Sequence, residues 1–154
     1  DIQPVSIDSY MRPSDKVEEI PTDSLENLEK MIEICEKNNI EIMLLEMPSG
    51  TSWNYQRHNA IENFANENGL IFVDMNTCTD EYGLDFKKDF RDYDANHLNY
   101  YGALKATSYI GGIIADNYKI ENRSNSPDYD YWNEYCESFK NEIMGVSSND
   151  TKLD

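Results

Sequence analysis

Asp94 and His97 are two residues that could act together in catalysis, and they lie three positions apart just before a predicted helix. At this spacing a turn can fold the carboxylate back onto the imidazole, where it accepts the Nδ1 proton and leaves Nε2 as a base. Such a pair is the half of a serine–histidine–aspartate triad that orients the base and stabilises the imidazolium. The spacing equally fits a plain turn before a helix with a half-exposed histidine, so both interpretations stay open.

The other histidine and the nearby acids give weaker signals. His58 follows Arg57 in a predicted helix, and we interpret it as a helix-face residue rather than a catalytic or metal-binding one. Asp92, Asp94 and His97 could approach one metal ion, but no second histidine joins them in the sequence. We therefore predict no metal site, and no organic cofactor is implied.

Nucleophile candidates inside the chain are few. Ser49 and Ser52 follow the first predicted strand, on the side of the sheet where ligands bind. A nucleophile needs a hydrogen bond to the base and two donors for the oxyanion, and Pro48 offers no N–H. Ser52 also suits the N-cap of the next helix, Cys78 ranks below both serines, and Trp53 is predicted to form a wall of the cleft.

Strand and helix patterns place these residues at one edge of a parallel sheet. Segments 40–47 and 70–75 are short and apolar without strict alternation, which is typical of strands buried on both faces. A helix predicted at 54–68 joins them, and the three elements form a right-handed βαβ unit. Loops that follow the carboxyl ends of such strands gather ligands, and the loops carrying Ser49 and His97 lie there.

Three further helices are predicted. The first begins near Asp23, which can cap it, the third is capped by Asn99, and the last begins after Ser126 and ends at Gly145. Gly111 and Gly112 weaken the third helix, which predicts a close approach to a neighbouring element. The apolar residues of this third helix are Ala103, Ala106, Ile110, Ile113 and Ile114.

Length and charge exclude several classes of protein. The chain has 154 residues, which favours one domain, and its 13 basic and 30 acidic residues give a net charge of −17. Such a charge repels nucleic acid and anionic membranes. No apolar run approaches the roughly 20 residues that a membrane span needs. Three scattered cysteines suit neither a disulfide framework nor a zinc site, and the sequence leaves the cellular compartment open.

The segment Asp94–Lys105 resembles the last catalytic block of the SGNH (GDSL-type) hydrolase family, in which D-x-x-H is followed by Leu-Asn, a Gly and a helix. Segments 42–53 and 72–76 are similar to the preceding strands of that family, and 122–132 is similar to the tail of a bacterial branch. The resemblance covers about residues 22–140. It implies a partial flavodoxin-like, three-layer α/β fold with a short parallel sheet flanked by helices.

The departures from the family are as informative as the match. The sequence has no G-D-S or G-x-S near its start and no G-x-N-D, the blocks that supply the serine and part of the oxyanion hole. The chain thus looks like the C-terminal portion of an SGNH domain. Its expected organisation is an extended lead-in (1–21), the α/β part (22–119), an appended helix that packs on it (120–145) and a flexible tail (146–154).

The resemblance implies a serine-type ester hydrolase or acyltransferase acting on ester-linked acyl groups of small molecules or glycans, including cell-envelope polymers. His97 and Asp94 would serve a serine outside this sequence, so the chain alone is expected to be inactive. A related bacterial branch is tethered outside the membrane by an upstream segment, although this segment itself is not expected to contact a membrane.

The sequence leaves two alternative functions open. The chain could be a non-catalytic interaction or oligomerisation module, in which the apolar edge of the first strand pairs with a second copy to form a homodimer. A flavodoxin-like binding domain is less favoured, because no Gly-rich phosphate turn follows either strand.

Overall fold

The computed structural model describes residues 10–91 and 95–150. This part of the chain is a mixed α/β structure with four α-helices and a short parallel sheet of two strands. In chain order the elements are α1 (Thr22–Lys37), β1 (Met43–Glu46), α2 (Tyr55–Glu67), β2 (Ile71–Asp74), α3 (Tyr100–Asn117) and α4 (Asp130–Asp150). A 3₁₀ turn, Pro127–Tyr129, precedes α4.

The sheet confirms the predicted parallel pairing but is shorter than the sequence pattern. β1 and β2 pair from Met43 opposite Ile71 to Glu46 opposite Asp74. Helix α2 connects the strands and contacts β2. No other strand joins this sheet within residues 10–91 and 95–150. The two strands therefore end side by side, and the loops that follow them share one edge.

Local cap chemistry explains where α1 and α2 begin. Asn54 caps α2, because its side-chain oxygen accepts hydrogen bonds from the amides of Gln56 and Arg57 at 2.9 and 3.0 Å. The N-cap role considered for Ser52 is therefore wrong. Helix α1 has Pro21 at its N-cap position and no side-chain cap, so the predicted capping by Asp23 is also wrong.

Helix α3 is capped by Asn99 as predicted, and its side-chain oxygen accepts from the amides of Tyr101 and Gly102 at 3.0 and 3.1 Å. Ala106 is fully buried, but Ala103 is exposed, because the helix presents Gly102 to the preceding loop. A Cβ added at Gly102 would lie 2.3 Å from the carbonyl oxygen of Asp89. Gly102 is thus the glycine that permits a close approach.

The close approach predicted at Gly111 and Gly112 is wrong, because a Cβ at either position would meet nothing within 4 Å. This contrast gives a matched test within one helix. We expect Gly102→Ala to lower the free energy of unfolding by about 1–3 kcal/mol, since backbone has to move to relieve the overlap. Gly111→Ala should instead raise it by up to about 1 kcal/mol through helix propensity. Thermal unfolding of both variants checks this, and shifts of the same sign would contradict it.

The long connection between β2 and α3 supplies a small core. Phe86, Phe90 and Ala95 are buried together, and the rings of the two phenylalanines stack with centroids 5.1 Å apart. Tyr10 and Leu98 pack against this cluster. The connection is therefore a folded part of the molecule that positions the residues before α3.

The chain divides into two compact units between Ile113 and Ile114, within α3. In the second unit α4 continues past Gly145, where the sequence pattern predicted its end, to Asp150. Large aromatic side chains on α4 are exposed, namely Tyr131, Trp132, Tyr135 and Phe139. Among the described residues, none of the helices combines the length and apolarity that crossing a bilayer requires.

Candidate functional site at the carboxyl edge of the sheet

The structure brings the two predicted loops together. The amide of Gly50, in the loop after β1, donates to the carbonyl oxygen of Ala95 at 2.9 Å. The side chain of Asn96 also binds this loop: its Oδ1 accepts from the Ser49 hydroxyl at 2.7 Å and from the Thr51 amide at 3.4 Å, and its Nδ2 donates to Thr51 Oγ1 at 2.9 Å. The segment before α3 is therefore tied to the loop that follows β1.

His97 follows this tied segment, and its side chain is exposed. Its carbonyl oxygen accepts from the amide of Arg91 at 2.8 Å, and the next residue, Leu98, forms a bridge with Phe90. The neighbouring backbone is thus held on both sides while the imidazole faces outward.

Asp94 and Asp92 lie outside the described residues, so the predicted contact between Asp94 and His97 remains a prediction. Among the residues that are described, no three His, Cys, Asp or Glu side chains converge as metal ligands would. The thiols of Cys35, Cys78 and Cys136 are free.

Ser49 is buried and uses its hydroxyl within the protein. The oxygen donates to Asn96 and accepts from the amide of Ser52 at 3.2 Å. A serine hydroxyl has a single proton, so Ser49 cannot donate to a base while it bonds Asn96. Ser52 is exposed on the same loop.

Trp53 has two environments. Its indole N–H donates to Asp74 Oδ2 at 2.8 Å, while its ring lines cavities of about 250 and 210 Å³. Leu28 and Ile61 line both of these cavities as well. The residue proposed as a cleft wall thus lines apolar cavities beside α1 and α2.

The sequence analysis missed a buried pair, His58 and Asp74. His58 lies on the buried face of α2: it is only 9% exposed, and its Nδ1 lies 2.8 Å from Asp74 Oδ2. Its ring packs between those of Tyr55 and Phe72. A signal for this existed, because His58 stands seven positions before the buried Ala65 and so shares its helix face.

Asp74 ends β2 with a carboxylate that accepts four hydrogen bonds. Oδ2 accepts from Trp53 and His58, and Oδ1 accepts from the backbone and side-chain amides of Asn76 at 2.9 and 2.7 Å. Because an ionised carboxylate only accepts, Nδ1 of His58 carries a proton. The carboxylate therefore joins β2, its loop and α2 into one polar cluster.

Burial changes the acidity of several groups near this cluster. It raises the pKa of Glu46, an effect that the nearby Asp74 carboxylate reinforces and the Arg57 guanidinium opposes. Burial also raises the pKa of Tyr10, whose hydroxyl remains a donor at neutral pH. The pKa of the Cys78 thiol is raised for the same reason, which weakens this residue as a nucleophile because the thiolate is the reactive form.

No protein-family model, curated protein or solved structure matches this chain. Its function is therefore argued from the geometry above and from the resemblance of its sequence segments.

Proposed function

We propose that this chain supplies the histidine base and its orienting aspartate to an SGNH-type serine ester hydrolase or acyltransferase. The observation that carries the proposal is the attachment of segment 95–97 to the loop after β1, with the imidazole of His97 exposed. Ligands of open parallel sheets bind at this edge. In the proposal, β1 and β2 belong to a larger flavodoxin-like sheet with helices on both faces.

The proposed chemistry assigns one role to each residue. A serine attacks the ester carbonyl while His97 takes its proton, and His97 then returns that proton to the leaving alcohol. Asp94 holds the imidazole in the tautomer that leaves Nε2 free to accept. The acyl-enzyme is released to water in a hydrolase or to a second alcohol in an acyltransferase.

The serine in this proposal belongs to a segment outside the present sequence. The proton of Ser49 is donated to Asn96, and burial keeps the Cys78 thiol protonated. The exposure of His97 leaves its ring accessible to a serine on another segment. The resemblance suggests acyl esters of carbohydrates or cell-envelope polymers as substrates, and the charge of −17 disfavours polyanionic ones.

An activity-based label tests the proposal. We expect a fluorophosphonate probe to modify one serine outside these 154 residues in the complete gene product, and to lose that reaction in His97→Ala. The 154-residue chain alone should hydrolyse p-nitrophenyl acetate no faster than its His97→Ala variant. Hydrolysis by the isolated chain that disappears in Ser49→Ala or Ser52→Ala would overturn the assignment of the nucleophile.

A second candidate, a self-association module, has one observation in its favour. Leu45 and Ile71 of the two-stranded sheet are 39% and 36% exposed, although parallel sheets are normally covered on both faces. Packing of this face against a second copy would cover both side chains. Light scattering separates the candidates, because a dimer that Leu45→Lys converts to monomer favours association and a monomeric wild type excludes it.

A further inference from the structure

A series of hydrogen bonds leads from the buried Asp74 carboxylate to the residue beside His97. Asp74 Oδ1 accepts from Asn76, and Asn76 Oδ1 accepts from the amide of Ser49 at 2.7 Å. The hydroxyl of Ser49 then donates to Asn96 Oδ1 at 2.7 Å. The series starts in the interior, where Asp74, Asn76 and Ser49 are 5%, 3% and 8% exposed, and it ends next to an exposed imidazole.

The orientation of Asn76 in this series is fixed by its partners. Its Nδ2 donates to two acceptors, Asp74 Oδ1 at 2.7 Å and the carbonyl oxygen of Met47 at 3.1 Å. Its Oδ1 accepts from two donors, the Ser49 amide and the Tyr10 hydroxyl, both at 2.7 Å. Turning the side-chain amide of Asn76 by 180° would place its NH₂ group against the two donors and its oxygen against the two acceptors. Only one orientation of Asn76 therefore fits, and it holds the loop after β1 in one position.

His97 lies between two anchored points. On its N-terminal side, Asn96 and Ala95 bind the loop of residues 49–51. On its C-terminal side, the amide of Asn99 donates to the Asp89 carbonyl oxygen at 2.9 Å. The Ser49 hydroxyl is the side-chain link between the buried series and the first anchor.

We propose that Ser49 is a positioning residue for His97, acting through Asn96, and that Asn76 and Asp74 hold Ser49 in place. Its catalytic meaning rests on the proposed function, which is what assigns His97 the role of a base. The hydrogen-bonded connection itself can be tested without any substrate.

Imidazole NMR tests the connection directly, because the chain contains two histidines and the other, His58, lies in the buried cluster. We expect Ser49→Ala to shift the side-chain ¹H–¹⁵N signals of His97 towards their positions in the urea-unfolded chain, while those of His58 stay unchanged. The exchange rate of the Gly50 amide, which bonds Ala95, should rise roughly tenfold.

Two further variants make the result decisive. Asn96→Ala removes the same link from the less buried side and should reproduce the His97 shifts. Ser52→Ala, on the same loop, leaves the link intact and should change neither histidine. Unchanged His97 signals in Ser49→Ala, or equal movement of both histidines, would overturn the proposal.

Failure of this inference and failure of the proposed function can be told apart. If the His97 signals move as expected but the complete protein neither cleaves esters nor reacts with fluorophosphonate, the connection between Ser49 and His97 is supported and the proposed ester chemistry is wrong. If the protein is an active esterase and the His97 signals do not move, only the positioning role of Ser49 is wrong. In an active protein, Ser49→Ala should lower kcat roughly tenfold with KM unchanged, and the fluorophosphonate should still modify the same serine.

Discussion

Replacing His97 with alanine in the complete polypeptide should lower kcat for p-nitrophenyl acetate by at least about 10³-fold, with little change in KM. The reason is that the proposed base both activates the serine and protonates the leaving group, while it contributes little to substrate binding. Asp94→Asn should act through the tautomer of the imidazole and reduce kcat by a smaller factor. Steady-state kinetics of the purified variants would measure both effects.

The exposure of His97 adds a control that a buried base would not permit. Imidazole added to the solution should restore part of the activity of His97→Ala, since the site left by the side chain is open. Tyr101→Phe, which alters an exposed side chain in the first turn of α3, should keep the wild-type kcat. Wild-type kcat in His97→Ala would remove the basis for an esterase.

Substituting Asp74 with alanine should reduce the free energy of unfolding by about 3–5 kcal/mol. The side chain is 1% exposed, and its loss would leave buried donors of Trp53, His58 and Asn76 without their acceptor. For a domain of this size the expected fall in Tm is about 10 °C. Thermal unfolding followed by circular dichroism would measure it.

Asp80→Ala is the matched control, because Asp80 is an exposed aspartate in the loop that follows β2. Its Tm should change little, since surface substitutions away from such contacts usually stay within about 0.5 kcal/mol. Similar Tm values for the two variants would mean that the carboxylate of Asp74 does not organise the cluster.

Local patterns predicted the elements of the fold well. The apolar runs at 40–47 and 70–75 indicated two parallel strands, and the side chain of Asn99 was recognisable as a cap because cap chemistry involves only neighbouring residues. The close approach was predicted at the wrong glycines of α3, because it depends on residues that are distant in the sequence. Whether a Cβ fits at Gly102 or Gly111 depends on an element elsewhere in the chain, here the carbonyl of Asp89.

The site was predictable only in part, because its bonds join distant residues. The sequence placed Ser49 and His97 at one edge of the sheet, and the structure brings their loops together. The hydrogen bonds from Ser49 to Asn76 and Asn96 join residues 27 and 47 positions apart, and the spacing of apolar residues in the sequence does not reveal such pairs. The contact of His58 with Asp74 was missed because Asp74 belongs to the next strand.

The attachment of segment 95–97 to the loop after β1 has a consequence for the order in which the protein assembles. That loop is held by Asn76, which follows β2, so the segment has a fixed partner only after the βαβ unit has formed. Bringing residues so far apart into contact costs closure entropy that local helices do not incur. We therefore expect the imidazole of His97 to reach its final place late in folding, after the two strands have paired.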